Sequence, residues 1–445
     1  MNRNLRMYSN KIAVVVKSLS LMMTFFSSVV NAQLKTRESE IGLGWSNNSV
    51  NTVIFRNSAL TTFKNVQYTA YYNPEGQLVL AKRKLNARKW DVVITPYNGN
   101  VKDAHNDISI AIDAAGYLHV SWDHHDTRLR YARSKVAFSL ELGDEQAMTG
   151  KDEAKVTYPE FHNLPNGELL FCYRSGASGR GNMIMKSYDV KTQKWTSLQN
   201  NLIDGENQRS AYWQICVGKK GIYISWVWRE SWDVSTNHDI CYAFSADGGK
   251  TWEKSTGEKY NLPITKATAE HAWEVPQNSS LINQTAMTVD DSGNPYITTY
   301  WNNDGVPQYK VVYLLNGKWN LLNTNFHHNS FTLGGGGTKR IPISRPEILV
   351  NKSMLYLLFR DEERDNKITL GYTNLDKKQW ELKDVSRFTV GQWEPNLDKE
   401  LWAEKKQLHI FSQNVSQADG EGLAKVAPQP VKILELKKLP LLQAK

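Results

Sequence analysis

Apolar and polar side chains alternate in short runs along most of the chain, most clearly over residues 104–130. Residues 108–112 (Ile-Ser-Ile-Ala-Ile) place apolar groups at every second position, 113–116 (Asp-Ala-Ala-Gly) form a turn, and 118–122 (Leu-His-Val-Ser-Trp) alternate again. A period of two broken by Asp and Gly predicts strand, turn, strand. The unit recurs. Its turns fall at 73–76, 113–116, 164–167, 218–221 and 290–293, each containing glycine, while 350–353 and 404–406 hold the same place without it. Third strands follow at 129–134, 183–188, 239–245, 311–315 and 368–373, several running into a Trp-bearing turn such as Trp195 or Trp380.

Seven such units, about 40–70 residues apart, predict an all-β fold, a seven-bladed β-propeller whose first and last segments close the ring. Residues 245–252 (Ser-Ala-Asp-Gly-Gly-Lys-Thr-Trp) fit the Asp-box pattern S-x-D-x-G-x-T-W, a hairpin that staples outer strands of propeller blades. A β-sandwich is the alternative, and it leaves the repeat unexplained. Gly334 to Gly337 read as a loop between the fifth and sixth units, so 33–445 is expected to be one domain.

Residues 1–32 read as an export signal: Arg3, Arg6, Lys11 and Lys17 lead into an apolar run at 19–30 and a small-residue site ending at Ala32. The run is too short to span a bilayer, so the expected product is secreted or periplasmic, without a membrane span. The whole chain carries a formal charge of +9, and removing four basic residues with the signal leaves +5. That mild, dispersed bias suits an acidic substrate and excludes the concentrated patch of a nucleic-acid binder. A monomer is expected. Three cysteines, Cys172, Cys216 and Cys241, allow one disulfide at most.

In a propeller, functional side chains recur where first strands begin and second strands end. His105, His124 and His125 crowd one end of the 108–122 hairpin, and imidazole titrates near neutrality. Tyr158 opens the third unit, Arg174 closes its second strand ahead of a Gly/Ser loop, and Arg209 and Tyr212 open the fourth. Singly, each reads equally well as packing or as an ion pair. Together they lack the two carboxylates of an ordinary glycosidase, and one well-placed arginine stands where a sialidase needs three. His, Tyr and Arg suit β-elimination beside a uronic acid. Arginine neutralises the carboxylate so that the C5 proton becomes removable, one side chain takes it, and another protonates the departing O4. His238 and Cys241 have ligand-like spacing, which Cys216 and His271 would complete as a tetrahedral zinc site. The Asn106-Asp107 stretch is a weaker place for a cation such as calcium, and the chemistry itself calls for no cofactor.

Segments 49–56, 67–72, 105–125, 158–161, 173–182 and 281–285 together resemble the seven-bladed propeller ulvan lyases, BNR-repeat polysaccharide lyases, over nearly the whole chain beyond the signal. The resemblance implies an anionic polysaccharide substrate, ulvan. It makes His105 and His125 the catalytic histidines, with His124 able to align in place of His125. Tyr158 becomes the catalytic tyrosine, Arg174 the carboxylate neutraliser and Tyr212 a second functional tyrosine, while Asn106, His124 and Arg209 are expected to bind substrate. A propeller hydrolase of rhamnosyl–glucuronate linkages and a non-catalytic carbohydrate-binding propeller are the alternatives.

Overall fold

The computed structural model describes residues 34–441, and the predicted export signal lies outside them. Alternation sets the strands as expected. Ile108–Ile112 and Leu118–Trp122 pair antiparallel, with Ile108 opposite Trp122 and Ile112 opposite Leu118. The turn between them closes on itself. The Asp113 carboxylate accepts the amides of Ala115 and Tyr117, each at 2.9 Å, and Gly116 takes the φ of +93° that a side chain would disfavour.

Seven blades result. Their sheets open on Leu60–Phe63, Ile108–Ile112, Val156–Asn163, Ser210–Gly218, Ala286–Val289 and Glu347–Asn351 for blades one to six. Contacts between the first strands of neighbouring blades set them side by side around an axis. Blades three and four are joined at their edges by a parallel contact between Gly181 and Ser210. Blade seven consists of Leu408–Ser412, Gln429–Leu436 and the early strand Arg37–Gly44, paired with Arg37 opposite Glu435, so distant parts of the chain close the ring.

Two units depart from the expected form. In blade one the inner hairpin turns at Lys64 and Asn65, both in the left-handed region (φ 44° and 65°), which moves the 73–76 turn to the second hairpin. That two-residue turn carries no glycine, so a glycine-based repeat misses it. In blade seven, 404–406 is not a hairpin turn. Asp398 caps a helix, Lys399–Lys405, by accepting the Leu401 amide at 2.9 Å, and Leu401 and Trp402 bury its inner face. A run of Lys, Glu, Leu and Ala favours helix once capped.

The Asp-box forms as its pattern requires. Asp247 accepts the Thr251 amide at 2.9 Å and its hydroxyl at 2.7 Å, Ser245 accepts the Gly249 amide at 2.9 Å, and Trp252 Nε1 donates to Gly249 O at 3.0 Å. Trp252 is fully buried against Trp213, Trp226 and Trp228 in the shared core of blades three and four. Trp252→Ala is therefore expected to lower unfolding free energy by about 3–5 kcal/mol, read as a fall in the denaturation midpoint. All three cysteines are free. Among the described residues, no helix is long and apolar enough to cross a membrane.

Candidate active site

Antiparallel pairing brings the start of each first strand beside the end of the second. Thr157 lies opposite Arg174, and Ser210 opposite Arg229. His125 joins them through its pairing with Thr157. One mouth of the propeller thus collects His105, His125, Tyr158, Arg174 and Tyr212, the five side chains expected to act.

The two histidines share one carboxylate. Asp103 Oδ1 is 2.7 Å from His105 Nδ1, and Oδ2 is 2.5 Å from His125 Nδ1. Their rings stack at 4.1 Å between centroids, with Phe55 behind His105 at 5.4 Å. Neither Nε2 has a protein partner among the described residues. Burial alone would push the His105 pKa down. Hydrogen bonds to Asp103 and to Glu421, 3.3 Å away, outweigh it and raise the pKa to about 9, so His105 is an imidazolium at neutral pH. Burial of Asp103 is likewise outweighed by the two histidines, which hold its carboxyl far below the ordinary range. Asp103 and Glu421 were not picked out from sequence. The spacing of Asp103, two residues before His105, was the available signal.

The tyrosines face two guanidinium groups. Tyr158 sits in the left-handed region (φ 56°) at a bulge between Thr157 and Glu160, which turns its ring out of the regular ladder. The ring meets Phe55 at 5.0 Å, His105 at 5.9 Å and Tyr212 at 5.9 Å, and Arg174 Cζ lies 4.9 Å from its centroid. Arg174 is 1 % exposed, and its Nη1 donates to the Tyr212 hydroxyl at 3.3 Å. A side chain at Gly181 would collide with the Arg174 stem at 2.7 Å, so glycine there makes room for it. Arg229, which ends the second strand of blade four as Arg174 does in blade three, lies 5.5 Å from the Tyr212 ring centroid. Its Nε is buried without a partner, and no carboxylate pairs with it among the described residues.

Arg174, Arg229 and Arg345 each favour the Tyr158 phenolate. Burial, with Tyr212 adding to it, instead keeps the Tyr158 phenol well above its usual range. It is Tyr212 that is acidified. Burial raises it, but Arg229, Arg174, the Ser178 hydroxyl at 3.0 Å and His105 bring it down to about 8.

Other expected residues fall elsewhere. His124 is fully buried inside the hairpin, its Nε2 3.0 Å from Ser121 Oγ, and burial drops its pKa to about 3. Its neighbour His125 instead reaches Asp103 beside His105. Arg209 is held by Glu230 at 3.0 Å and by Glu206, which leaves Arg229 as the guanidinium of blade four without a carboxylate among the described residues. Asn106 is buried and donates to Asn100 O at 2.9 Å, fixing the loop around His105. The four expected metal ligands do not converge. Cys241 packs in the blade three–four core while Cys216 lies on the opposite sheet face, and His238 is bound through both nitrogens, to Glu230 and Asp239 at 2.8 Å. Among the described residues, the ligand-type groupings within 4.8 Å are Asp103–His105–His125 and His327–Asp361–Glu363, neither containing cysteine.

Arg345 also reaches this mouth. Its guanidinium binds both oxygens of Glu394, so it is committed to an ion pair while Arg174 and Arg229 are not. His105, Tyr158, Arg229 and Arg345 border a cavity of about 30 Å³ here. A much larger cavity, about 540 Å³, lies toward the ends of first strands, lined by Phe161, Val217, Val289, Val350 and Trp402. None of the acid–base cluster lines it, whereas His105 and Tyr158 line the smaller one.

Relatives are known both in sequence and in fold. The curated relatives include the short-isoform ulvan lyase of Alteromonas sp. (strain LOR), 26 % identical over 225 residues, which is 38 % of this chain and 42 % of the relative. The long-isoform ulvan lyase of Glaciecola sp. (strain KUL10) is 23 % identical over 190 residues, 32 % of this chain and 19 % of the relative. Each match thus spans less than half of the relative's length. Among solved structures, the polysaccharide lyase Uly1 matches with a TM-score of 0.68 at 15 % identity, covering 91 % of this chain and 99 % of its own. A PL25 ulvan lyase gives 0.66 at 15 % identity, covering 91 % and 96 %. These likenesses establish the propeller. The model of the BNR repeat-containing family matches residues 66–326, well over half of the sequence, and the chain belongs to that family.

Proposed function

We propose that this protein is a polysaccharide lyase that cleaves a uronate-bearing, sulfated polysaccharide of the ulvan type by β-elimination. The observation that carries the reading is the pair of buried guanidinium groups, Arg174 and Arg229, without carboxylate partners among the described residues and set against the acidified Tyr212. A buried cation without a counter-ion is costly, and an anionic substrate supplies what is missing. The ulvan lyases among its relatives support the substrate class, as does a PL25 ulvan lyase solved bound to -[GlcA(1-4)Rha3S]-.

In this reading Arg174 takes the uronate carboxylate. The C5 carbon next to that carboxylate then lies beside the Tyr212 oxygen, which as phenolate removes the C5 proton. Tyr158, kept protonated by burial, gives its proton to O4 as the C4–O4 bond breaks and the C4–C5 double bond forms. The His105 imidazolium adds positive charge as the enolate develops, and Asp103 fixes both histidines. Glycosidic hydrolysis lacks support here, because Asp103 is held by His105 and His125 and Glu394 by Arg345.

Incubation with ulvan tests this directly. Ultraviolet absorbance and reducing ends are expected to rise together. Reducing ends alone would mean hydrolysis, and neither would mean a binding protein. The pH dependence follows from the two shifted groups. Tyr212 must be ionised, so kcat/KM is expected to rise through about 8, and His105 must stay protonated, so it falls through about 9. Arg229→Gln removes a charge that stabilises the phenolate and is expected to move the rising limb to higher pH, read from pH–rate profiles.

A further inference from the structure

Trp232 is the one exposed tryptophan among the described residues, at 65 % exposure. It lies in the turn that leaves the second strand of blade four, three residues beyond Arg229, and Arg229 Nη2 donates to its carbonyl. That turn is held from several sides. Asp233 accepts the Ser235 amide at 2.8 Å and the Gly335 amide at 2.9 Å, and the Val234 amide donates to Gly335 O at 2.9 Å. A side chain at Gly336 would come within 2.8 Å of Trp232 Cε3, so the glycine loop lies against the indole edge. A side chain at Gly179, in the loop after Arg174, would come within 3.1 Å of the Ser231 backbone. Val234 and Gly337 line the same small cavity as His105, Tyr158 and Arg229. The indole therefore stands at the rim of the active mouth, on a turn fixed by two neighbouring loops.

Water-exposed indole is unfavourable, and one exposed tryptophan alone would need no explanation. Its place on a fastened turn beside the acid–base cluster is what gives it a use. One face of a pyranose ring is made of C–H groups, which pack on an aromatic plane while the hydroxyls stay in water. A platform already fixed before binding loses little freedom when the sugar arrives. We propose that Trp232 is a sugar-stacking platform, which holds a pyranose ring of the polymer in a subsite beyond the linkage that is cleaved. This rests on the polysaccharide lyase reading and adds the residue that makes the site prefer long chains.

The test compares the intact protein with Trp232→Ala and Trp232→Phe. Ulvan polymer and its shortest cleaved oligosaccharide serve as ligands, with Kd from titration calorimetry and kcat and KM from the absorbance assay. For Trp232→Ala, Kd and KM for the polymer are expected to rise about tenfold with kcat nearly unchanged. The penalty should shrink on the shortest oligosaccharide, the denaturation midpoint should hold, and Trp232→Phe should recover most of the affinity. Unchanged polymer Kd and KM in Trp232→Ala would overturn the platform while leaving the lyase reading intact. Wild-type protein that binds ulvan but forms no double bond would overturn the lyase reading, and Kd of the alanine variant would still decide the platform. A wild type that does not bind ulvan overturns both.

Discussion

Tyr158→Phe is expected to give a folded protein that still binds polymer and turns it over about a thousandfold more slowly. Phenylalanine keeps the ring against Phe55, Tyr212 and Arg174 and removes only the hydroxyl. The bulge that sets Tyr158 at φ 56° is a backbone feature shared with Pro159 and does not depend on that hydroxyl. If the residue served packing alone, the substitution would leave turnover largely intact. The loss is expected because burial holds the phenol protonated where O4 needs a proton, and nothing in phenylalanine replaces that donor. Turnover and polymer affinity measured on the same preparation separate the two cases, since an acid that acts only as O4 departs lowers kcat and spares binding.

The second large effect is expected at Arg174. Lysine keeps the charge but loses the planar fork that can hold both carboxylate oxygens, and its ammonium is more strongly hydrated. Loss of about 3 kcal/mol of transition-state stabilisation corresponds to more than a hundredfold in rate. Arg174 Nε donates to Gly176 O at 3.2 Å and Nη1 to Tyr212 at 3.3 Å, so lysine would also release the phenol. Arg174→Lys should therefore combine a rate loss with an alkaline shift of the rising pH limb, two effects that a purely structural ion pair would not produce. Near-normal turnover would show that Arg174 does not hold the uronate.

Much of this was legible from alternation and turn chemistry. A period of two with Asp-x-x-Gly turns specifies hairpins locally, and the Asp-box pattern names its own hydrogen bonds. Repeat position also brought the candidate residues together, since first-strand starts and second-strand ends meet at one mouth by pairing alone. Applied consistently, that rule reaches Arg229 as readily as Arg174. The misses share a cause. Arg209 and His124 have the right residue type in nearly the right place, but partner choice and side-chain direction come from neighbours distant in sequence, such as Glu230 for Arg209. Cys216 and Cys241 failed as joint ligands because strand pairing sends them to opposite faces. Which tyrosine is acidified was likewise beyond the sequence, because it depends on how many guanidinium groups converge on each ring against the burial both share.

The central claim is that this mouth breaks a glycosidic linkage by elimination and not by water. Digestion of ulvan in water labelled with heavy oxygen, followed by mass spectrometry of the oligosaccharides, decides it. Products that carry no heavy oxygen at the new ends, and that include fragments lighter by one water at the uronate, are the predicted result. Label incorporated at each cleaved bond would contradict the account.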